Sequence, residues 1–341
     1  MGSIVGTALV SHHPGLFQSD EFRIKMGDGA DSDLIPGYDR LRAKIDAVKP
    51  DTLIIFDTHW FTTGYHLIDG GRVHRGSYIS DEMPWYLYGQ AYNYPGNPEL
   101  AGLIEKVAVE RGVMSKAVYD HDLPKHYATI NVANKLAKGE RIVSVSNCQN
   151  CQPHHFIESG SVIAEAILRS DQRVVLLASG ALSHKFNQID WVQKHPRIYH
   201  ETNVSRPENI ALDKEAIALM QAGNHASILD QWDSKFGRLP WEGFGGHYLQ
   251  MIGALGARAC KAMGTRSPIT RTRAAPEIFT CGSMLSQHRR HRTSYERSNT
   301  EPTTNHFGGP AQQPGAHTHA DVLHQTADRD QPSRWRNGET C

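Results

Sequence analysis

The stretch Thr52-Leu-Ile-Ile-Phe-Asp-Thr-His-Trp60 decides how the chain is read. Thr52 to Phe56 is a run of β-branched and large apolar residues, which predicts a strand buried on both faces in a sheet covered by helices. Asp57, Thr58 and His59 then fall where that strand ends. Ligands of open α/β sheets bind at the carboxyl ends of the strands, so His59 is a candidate metal ligand or catalytic base.

Outward from this strand the same pattern repeats. Ile4 to Val10 reads as a first strand that delivers Ser11-His12-His13-Pro14 to its end, where Pro14 biases His13 to extended backbone. Leu41, Ile45 and Val48 have helical spacing, and Pro50 stops that helix before the next strand. Arg141 to Ser146 and Arg173 to Ser179 read as two more buried strands, the second running into Gly180-Ala-Leu-Ser-His184. Helices are expected from an Asn97 cap through Val107, from about Ile130 to Ala137, through Val162 to Ile167, and from Glu208 to Met220. A further long one opens at Trp241-Glu242 and runs to about Met263. Residues 18–36 read as a surface loop. Residues 61–98, rich in Gly, Tyr, Trp and Pro, read as a long irregular segment whose aromatic rings suit either ordinary packing or a pocket wall.

Strands alternating with helices predict the α/β class: a single domain over residues 1–265 with a central, mostly parallel sheet flanked by helices. Residues 266–341 turn polar and lose periodicity, and are expected to be an irregular C-terminal tail, disordered or loosely attached.

Composition narrows the function classes. A chain of 341 residues with 39% hydrophobic content can bury a real core. Lys+Arg and Asp+Glu both total 36, so no net charge points to nucleic acid or an anionic membrane. No apolar run reaches transmembrane length and the first residues lack the basic and apolar regions of a signal peptide, so a cytoplasmic protein is expected. Five cysteines are an odd number and too few for a disulfide framework. Cys148-Gln-Asn-Cys151 has redox or half-zinc-site spacing, yet no second pair completes four ligands, and chance spacing is the better reading.

Histidines at three strand ends, His12, His59 and His184, together with Glu242 at a helix start form the candidate constellation. Two histidines and a carboxylate leave several positions on a metal open, as in non-haem Fe(II) oxygenases. The same ligands suit a zinc-dependent hydrolase with an activated water, and a non-catalytic scaffold of the same fold is a third reading. Asp57 is a candidate acceptor for a ligand imidazole.

The order of Ser11-His-His-Pro14, Asp57-Thr-His-Trp60, His126-Tyr-Ala-Thr129, Leu177-Ala-Ser-Gly-Ala-Leu-Ser-His184 and Glu242-Gly243 resembles the class III, protocatechuate 4,5-dioxygenase β-subunit-type, extradiol ring-cleavage dioxygenases. Within that superfamily, Phe56-Asp-Thr-His-Trp60 and Tyr92-Asn-Tyr-Pro-Gly-Asn-Pro-Glu-Leu100 are most similar to the 3,4-dihydroxyphenylacetate 2,3-dioxygenases. The resemblance covers roughly residues 4 to 260. It implies Fe(II) and meta ring cleavage of a catechol or 2-aminophenol with O2 in aromatic catabolism, with 3,4-dihydroxyphenylacetate or a related catechol as substrate. It also implies a homo-oligomer or a complex with a small partner subunit.

Carried over by position, His12, His59 and Glu242 match the family's iron ligands. His13 is the rival of His12, and the His-x-Pro spacing favours His12. His184 matches the catalytic histidine, and Tyr127 and His126 fall where relatives contact substrate or oxygen. Lys125 and Lys185 lie near motif positions, but no basic residue is assigned to a substrate carboxylate. Relatives commonly end on a final strand after the Glu242 helix, whereas this chain runs into a His- and Arg-rich tail.

Overall fold

The Thr52 strand sits inside a six-stranded sheet, with neighbours on both sides. The computed structural model describes residues 1–184, 187–196, 200–203, 206–266 and 279–281. In chain order the elements are β1 (Ser3–Val10), α1 (Asp20–Met26), α2 (Leu34–Val48), β2 (Thr52–Thr62), β3 (His66–Asp69), β4 (Val73–Tyr78) and β5 (Gln90–Pro95). They continue with α3 (Pro98–Arg111), β6 (Ser115–Val118), α4 (Tyr127–Leu136), β7 (Arg141–Cys148), α5 (Pro153–Arg169) and β8 (Arg173–Ser179). The remainder are α6 (Pro207–Gln221), α7 (His225–Asp230), α8 (Gly246–Ala254), β9 (Gly264–Arg266) and β10 (Phe279–Cys281).

The sheet order is β1-β8-β2-β7-β3-β6, and every pairing is parallel except the short β3–β7 contact at Ile68 and Val145. Alternation along β2 explains the two cores. Ile54 and Phe56 face one side with Leu100, Ile104, Ile163, Tyr248 and Ile252, from α3, α5 and α8. Leu53 and Ile55 face the other with Tyr38, Leu41, Ile45, Val132 and Leu136, from α2 and α4. Burying each such side chain contributes about 1.5–3 kcal/mol, which explains why the run is apolar on both faces.

Parallel pairing puts the carboxyl ends of β1, β2, β7 and β8 on one edge. Val10 pairs with Ser179, and Asp57 pairs with the same Ser179 from the other side. On its β7 side, β2 is irregular: Phe56 pairs with Val145 but the next pair is Phe61 with Asn147. The four residues Asp57 to Trp60 therefore bulge out of that ladder, and a bulge of this kind re-aims side chains. Asp57 stabilises it by accepting the backbone N–H of His59 (2.8 Å) and of Trp60 (3.0 Å).

Several boundaries differ from the sequence expectations. Residues 18–36 are not all loop: α1 forms there, with the Ser19 side chain accepting the Phe22 N–H as a cap and Asp20 and Glu21 in its first turn. Residues 61–98 are not irregular throughout, because β4 and β5 pair antiparallel from Val73–Pro95 to Tyr78–Gln90. The helix expected to reach Met263 ends at Ala254, where Gly256 at φ +94 turns the chain away. Asn97 caps α3 as expected, accepting the Leu100 N–H.

The expected tail, 266–341, lies outside the described residues apart from Arg266 and Phe279–Cys281, which pair antiparallel as part of the β9–β10 hairpin. The chain divides between Arg289 and Arg290, and every described residue belongs to the first unit. Among the described residues no helix is long and apolar enough to cross a membrane.

Candidate metal centre and active site

His12, just past β1, His59 in the β2 bulge, and Glu242 after β8 come together at the carboxyl edge of the sheet. Nε2 of His12 lies 3.0 Å and Nε2 of His59 2.9 Å from the same oxygen, Oε1 of Glu242. The two imidazoles meet edge to face with centroids 4.9 Å apart. Of the described residues, this is one of two groups whose donor atoms could share a metal ion. The other, Asp120-His121-Asp122, is an exposed run of neighbours in sequence.

The outer nitrogens of both rings are occupied, which fixes how the inner ones point. Nδ1 of His12 lies 3.0 Å from Ser179 Oγ, and that hydroxyl itself donates to the Ala128 carbonyl (2.9 Å). Ser179 is thus the acceptor, and His12 carries a proton on Nδ1. Nδ1 of His59 lies 2.7 Å from Oε1 of Glu82, an acceptor-only carboxylate, so it too is protonated there. Both Nε2 atoms are left facing a carboxylate oxygen, a setting that draws a cation, whether a proton or a metal ion, between them. Three such donors converging on one point fit a cation, and hydrogen-bonded outer nitrogens are the usual support for ligating histidines.

The electrostatics agree. Burial works against a charged His59, yet the hydrogen bonds to Glu242 and Glu82 outweigh it and raise its pKa to about 10. Burial likewise opposes the Glu242 carboxylate, but His12 and His59 hold it well below the usual range. The trio is built for positive charge at its centre.

Glu242 reaches this point through an unusual turn. Gly243, Phe244 and Gly245 all have left-handed backbone, at φ +55, +59 and +72. For Phe244 this costs about 1–2 kcal/mol, and strain of this kind concentrates at functional sites. The turn is held by Asn147, which donates to the Gly243 carbonyl (3.0 Å), and by the Ala181 N–H, which donates to Glu242 Oε2 (2.6 Å). Glu242 does not cap a helix.

The first turn of α4 supports the other side. Thr129 donates to Asp57 Oδ2 (2.6 Å), and Asn131 donates to the carbonyls of His12 (2.7 Å) and His13 (3.1 Å). The Tyr127 hydroxyl lies 2.7 Å from His59 Nε2. Burial, then the charges of Glu82 and Glu242, keep the Tyr127 phenol protonated far above its ordinary range. His184 stands across the centre, its Nε2 4.0 Å from Glu242 Oε1 and its side chain about one-third exposed.

A cavity of about 730 Å³ opens beside these groups, lined by His59, His184 and Glu242 and walled by Phe156, Trp241 and Phe244. A space of this size takes a small aromatic molecule.

The structure therefore brings together His12, His59, Glu242, Tyr127 and His184, and gives the other candidates different places. His13 stays close to the centre, where burial and then the charges of His12 and His184 press its pKa down to about 4, but its Nδ1 is taken by the Gly15 N–H (2.9 Å) at the turn Pro14–Phe17. His126 precedes α4 without a side-chain cap bond, and among the described residues no hydrogen bond joins its ring to the trio. Among the described residues no hydrogen bond joins Asp57 to an imidazole, its carboxylate being used on the bulge and Thr129. Lys125 is not a free surface cation: it is buried against Asp69, beside His74. Lys185 lies outside the described residues. Cys151 also lines the cavity, with burial and the neighbouring Cys148 thiol pushing its pKa up to about 12, which suits an inert thiol rather than a redox pair.

Glu82 and Ser179 are missing from the sequence reading. Ser179 sits in a strand end that the motif quotes, but nothing distinguishes it from other serines. Glu82 lies in the loop between β4 and β5, 23 residues after His59, and no spacing rule links the two.

Such a trio on the carboxyl edge of a mostly parallel sheet defines an α/β enzyme able to hold a metal ion. The chain belongs to the family described as the catalytic LigB subunit of aromatic ring-opening dioxygenase, whose model matches residues 6–268. It is 32% identical to the 3,4-dihydroxyphenylacetate 2,3-dioxygenase of Escherichia coli over 189 residues, 54% of this chain and 68% of that protein. It is 29% identical to the 2-aminophenol 1,6-dioxygenase beta subunit of a Pseudomonas species over 157 residues, 43% of this chain and 51% of that one. The fold is similar to the crystal structure of an uncharacterized protein from Escherichia coli K12, with TM-score 0.51 and 16% identity, covering 81% of this chain and 98% of that one. The chain is an extradiol ring-cleaving dioxygenase.

Proposed function

We propose that the chain is an Fe(II)-dependent dioxygenase that cleaves 3,4-dihydroxyphenylacetate or a related catechol beside the diol. The observation that carries this reading is the convergence of His12 Nε2 and His59 Nε2 on Glu242 Oε1 beside an aromatic-walled cavity. His12, His59 and Glu242 would hold the metal. Two neutral imidazoles and one carboxylate leave a divalent ion with net positive charge, which favours an anionic diol. Iron bound there supplies the electronic link between the electron-rich ring and O2.

The protein's own groups do the rest. His184 accepts a proton from a diol hydroxyl and returns it as the ring opens, a task suited to imidazole near neutral pH. Tyr127, held protonated, donates a hydrogen bond to oxygen at the centre. Phe244 and Trp241 flank the ring and keep water from it. The identity to the Escherichia coli enzyme supports the arylacetate substrate. The relative named as a beta subunit supports assembly with a second chain.

The test is metal analysis of the protein as purified, followed by anaerobic loading with Fe(II), Mn(II) or Zn(II) and assay against a panel of catechols and 2-aminophenol. Ring-fission absorbance after Fe(II) loading, strongest with 3,4-dihydroxyphenylacetate, is expected. Turnover of an added ester or amide substrate with Zn(II), with no O2 uptake on any member of the panel, would instead mark a hydrolase.

A further inference from the structure

The cavity has an electrostatic feature that neither the metal trio nor His184 uses. Among its described lining residues one lysine or arginine appears, Arg238, on the wall that also includes Trp232 and Leu239. Arg238 closes the short turn Phe236–Arg238. Its Nε donates to the Asp233 carbonyl (3.0 Å), which sets the plane of the guanidinium and leaves both terminal amino groups available. No carboxylate among the described residues forms an ion pair with it.

Distance along the chain limits where this cation can be. Arg238 and Glu242 are four chain steps apart, so their Cα atoms lie at most roughly 14 Å apart. Both residues line the same cavity, whose volume of about 730 Å³ is enough for an aromatic ring with a short acidic arm. A guanidinium matches a carboxylate through two parallel hydrogen bonds, so it selects for a charged substituent and orients the ring behind it. Asp233 also lines the cavity and would repel an anion that approached from its side.

We infer that Arg238 is the specificity-determining residue of this enzyme, pairing with the carboxylate of an acidic catechol while the diol faces His12, His59 and Glu242. The inference rests on the ring-cleavage reading, and its test separates the two. Fe(II)-loaded protein is assayed with 3,4-dihydroxyphenylacetate and with 4-ethylcatechol, which lacks the charge. In parallel, binding of the unreactive 4-hydroxyphenylacetate and of 4-ethylphenol is measured by calorimetry. Arg238→Gln should raise KM for the acidic catechol, and weaken the acidic phenol, by about 10- to 100-fold, the range for a lost hydrogen bond between charged groups. Its kcat, and both values for the neutral compounds, should change less than about twofold. Arg238→Lys should fall between, and Asp233→Asn should tighten the acidic compounds alone.

An equal effect on acidic and neutral compounds, or none on the acidic ones, would overturn the role of Arg238 while leaving ring cleavage intact. Charge-selective, Arg238-dependent binding without turnover of either catechol would uphold Arg238 and reject the ring-cleavage reading.

Discussion

The imidazole of His59 is clamped to Glu82: Nδ1 of the ring lies 2.7 Å from Oε1 of the carboxylate. The hydrogen bond from His59 also holds Glu82 below its ordinary pKa. Such a partner fixes the tautomer and raises the basicity of the nitrogen on the far side. Glu82→Gln is expected to weaken metal binding about 10- to 100-fold with little change in melting temperature, read by chelator competition.

His12 and His13 are adjacent, and of the two His12 belongs to the group whose donor atoms could share a metal ion. His12→Ala is expected to lose bound metal and activity together. His13→Ala should keep the metal and lose the bond to the Gly15 N–H, at a cost of about 1 kcal/mol in unfolding free energy. Metal content of the two purified variants decides between them.

His184 Nε2 lies 4.0 Å from Glu242 Oε1, and His184 is not among the three residues whose donor atoms could share a metal ion. His184→Ala is therefore expected to bind metal normally. Its kcat should fall about 10²- to 10⁴-fold, the usual loss for a general acid–base group. A loss of metal in this variant would assign His184 to the ligand set.

Asp213 on α6 ties down the loop that carries His184, accepting the Ser183 hydroxyl (2.8 Å). Burial raises its pKa from 3.8 to about 6, although hydrogen bonds from Ser183 work the other way. A raised carboxyl pKa contributes stability at low pH that is lost as pH rises from about 4 through 6, because the folded state holds the proton longer. Asp213→Asn keeps an acceptor and should remove this slope, making the protein more stable above pH 6 by about 1–3 kcal/mol. Urea unfolding at pH 4.5 and pH 7 measures it.

Ile54 is fully buried at the centre of β2. Ile54→Ala is expected to cost about 2–5 kcal/mol by thermal or urea unfolding, without changing metal affinity in the molecules that remain folded.

The sheet is legible in the sequence because its strands are buried on both faces and read as unbroken apolar runs: Leu53 to Phe56, and Val174 to Ala178. The β4–β5 hairpin is not, since its residues alternate between buried and exposed and include Gly76 and Asn93, so composition alone resembles a loop. Helix α1 is hidden for a different reason: its seven residues stand on a Ser19 cap and an Arg23 pair with Asp31, not on an apolar stripe. At the site, residues that follow strands are visible because topology delivers them to one edge. Glu82 depends on how a loop folds back over β2, and the Asp57 carboxylate, expected at an imidazole, shapes the backbone beneath it instead. Arg238 belongs to no motif, and its place beside the cavity depends on the fold of the Phe236–Arg238 turn.

Oxygen consumption by anaerobically Fe(II)-loaded protein, given 3,4-dihydroxyphenylacetate and then a known amount of O2, bears on the whole reading at once. One O2 consumed per catechol lost is expected, with ring-fission absorbance rising in step, and with both signals absent from His59→Ala and Glu242→Ala. O2 uptake without ring-fission product, or full activity in either variant, would contradict a ring-cleaving centre built from His12, His59 and Glu242.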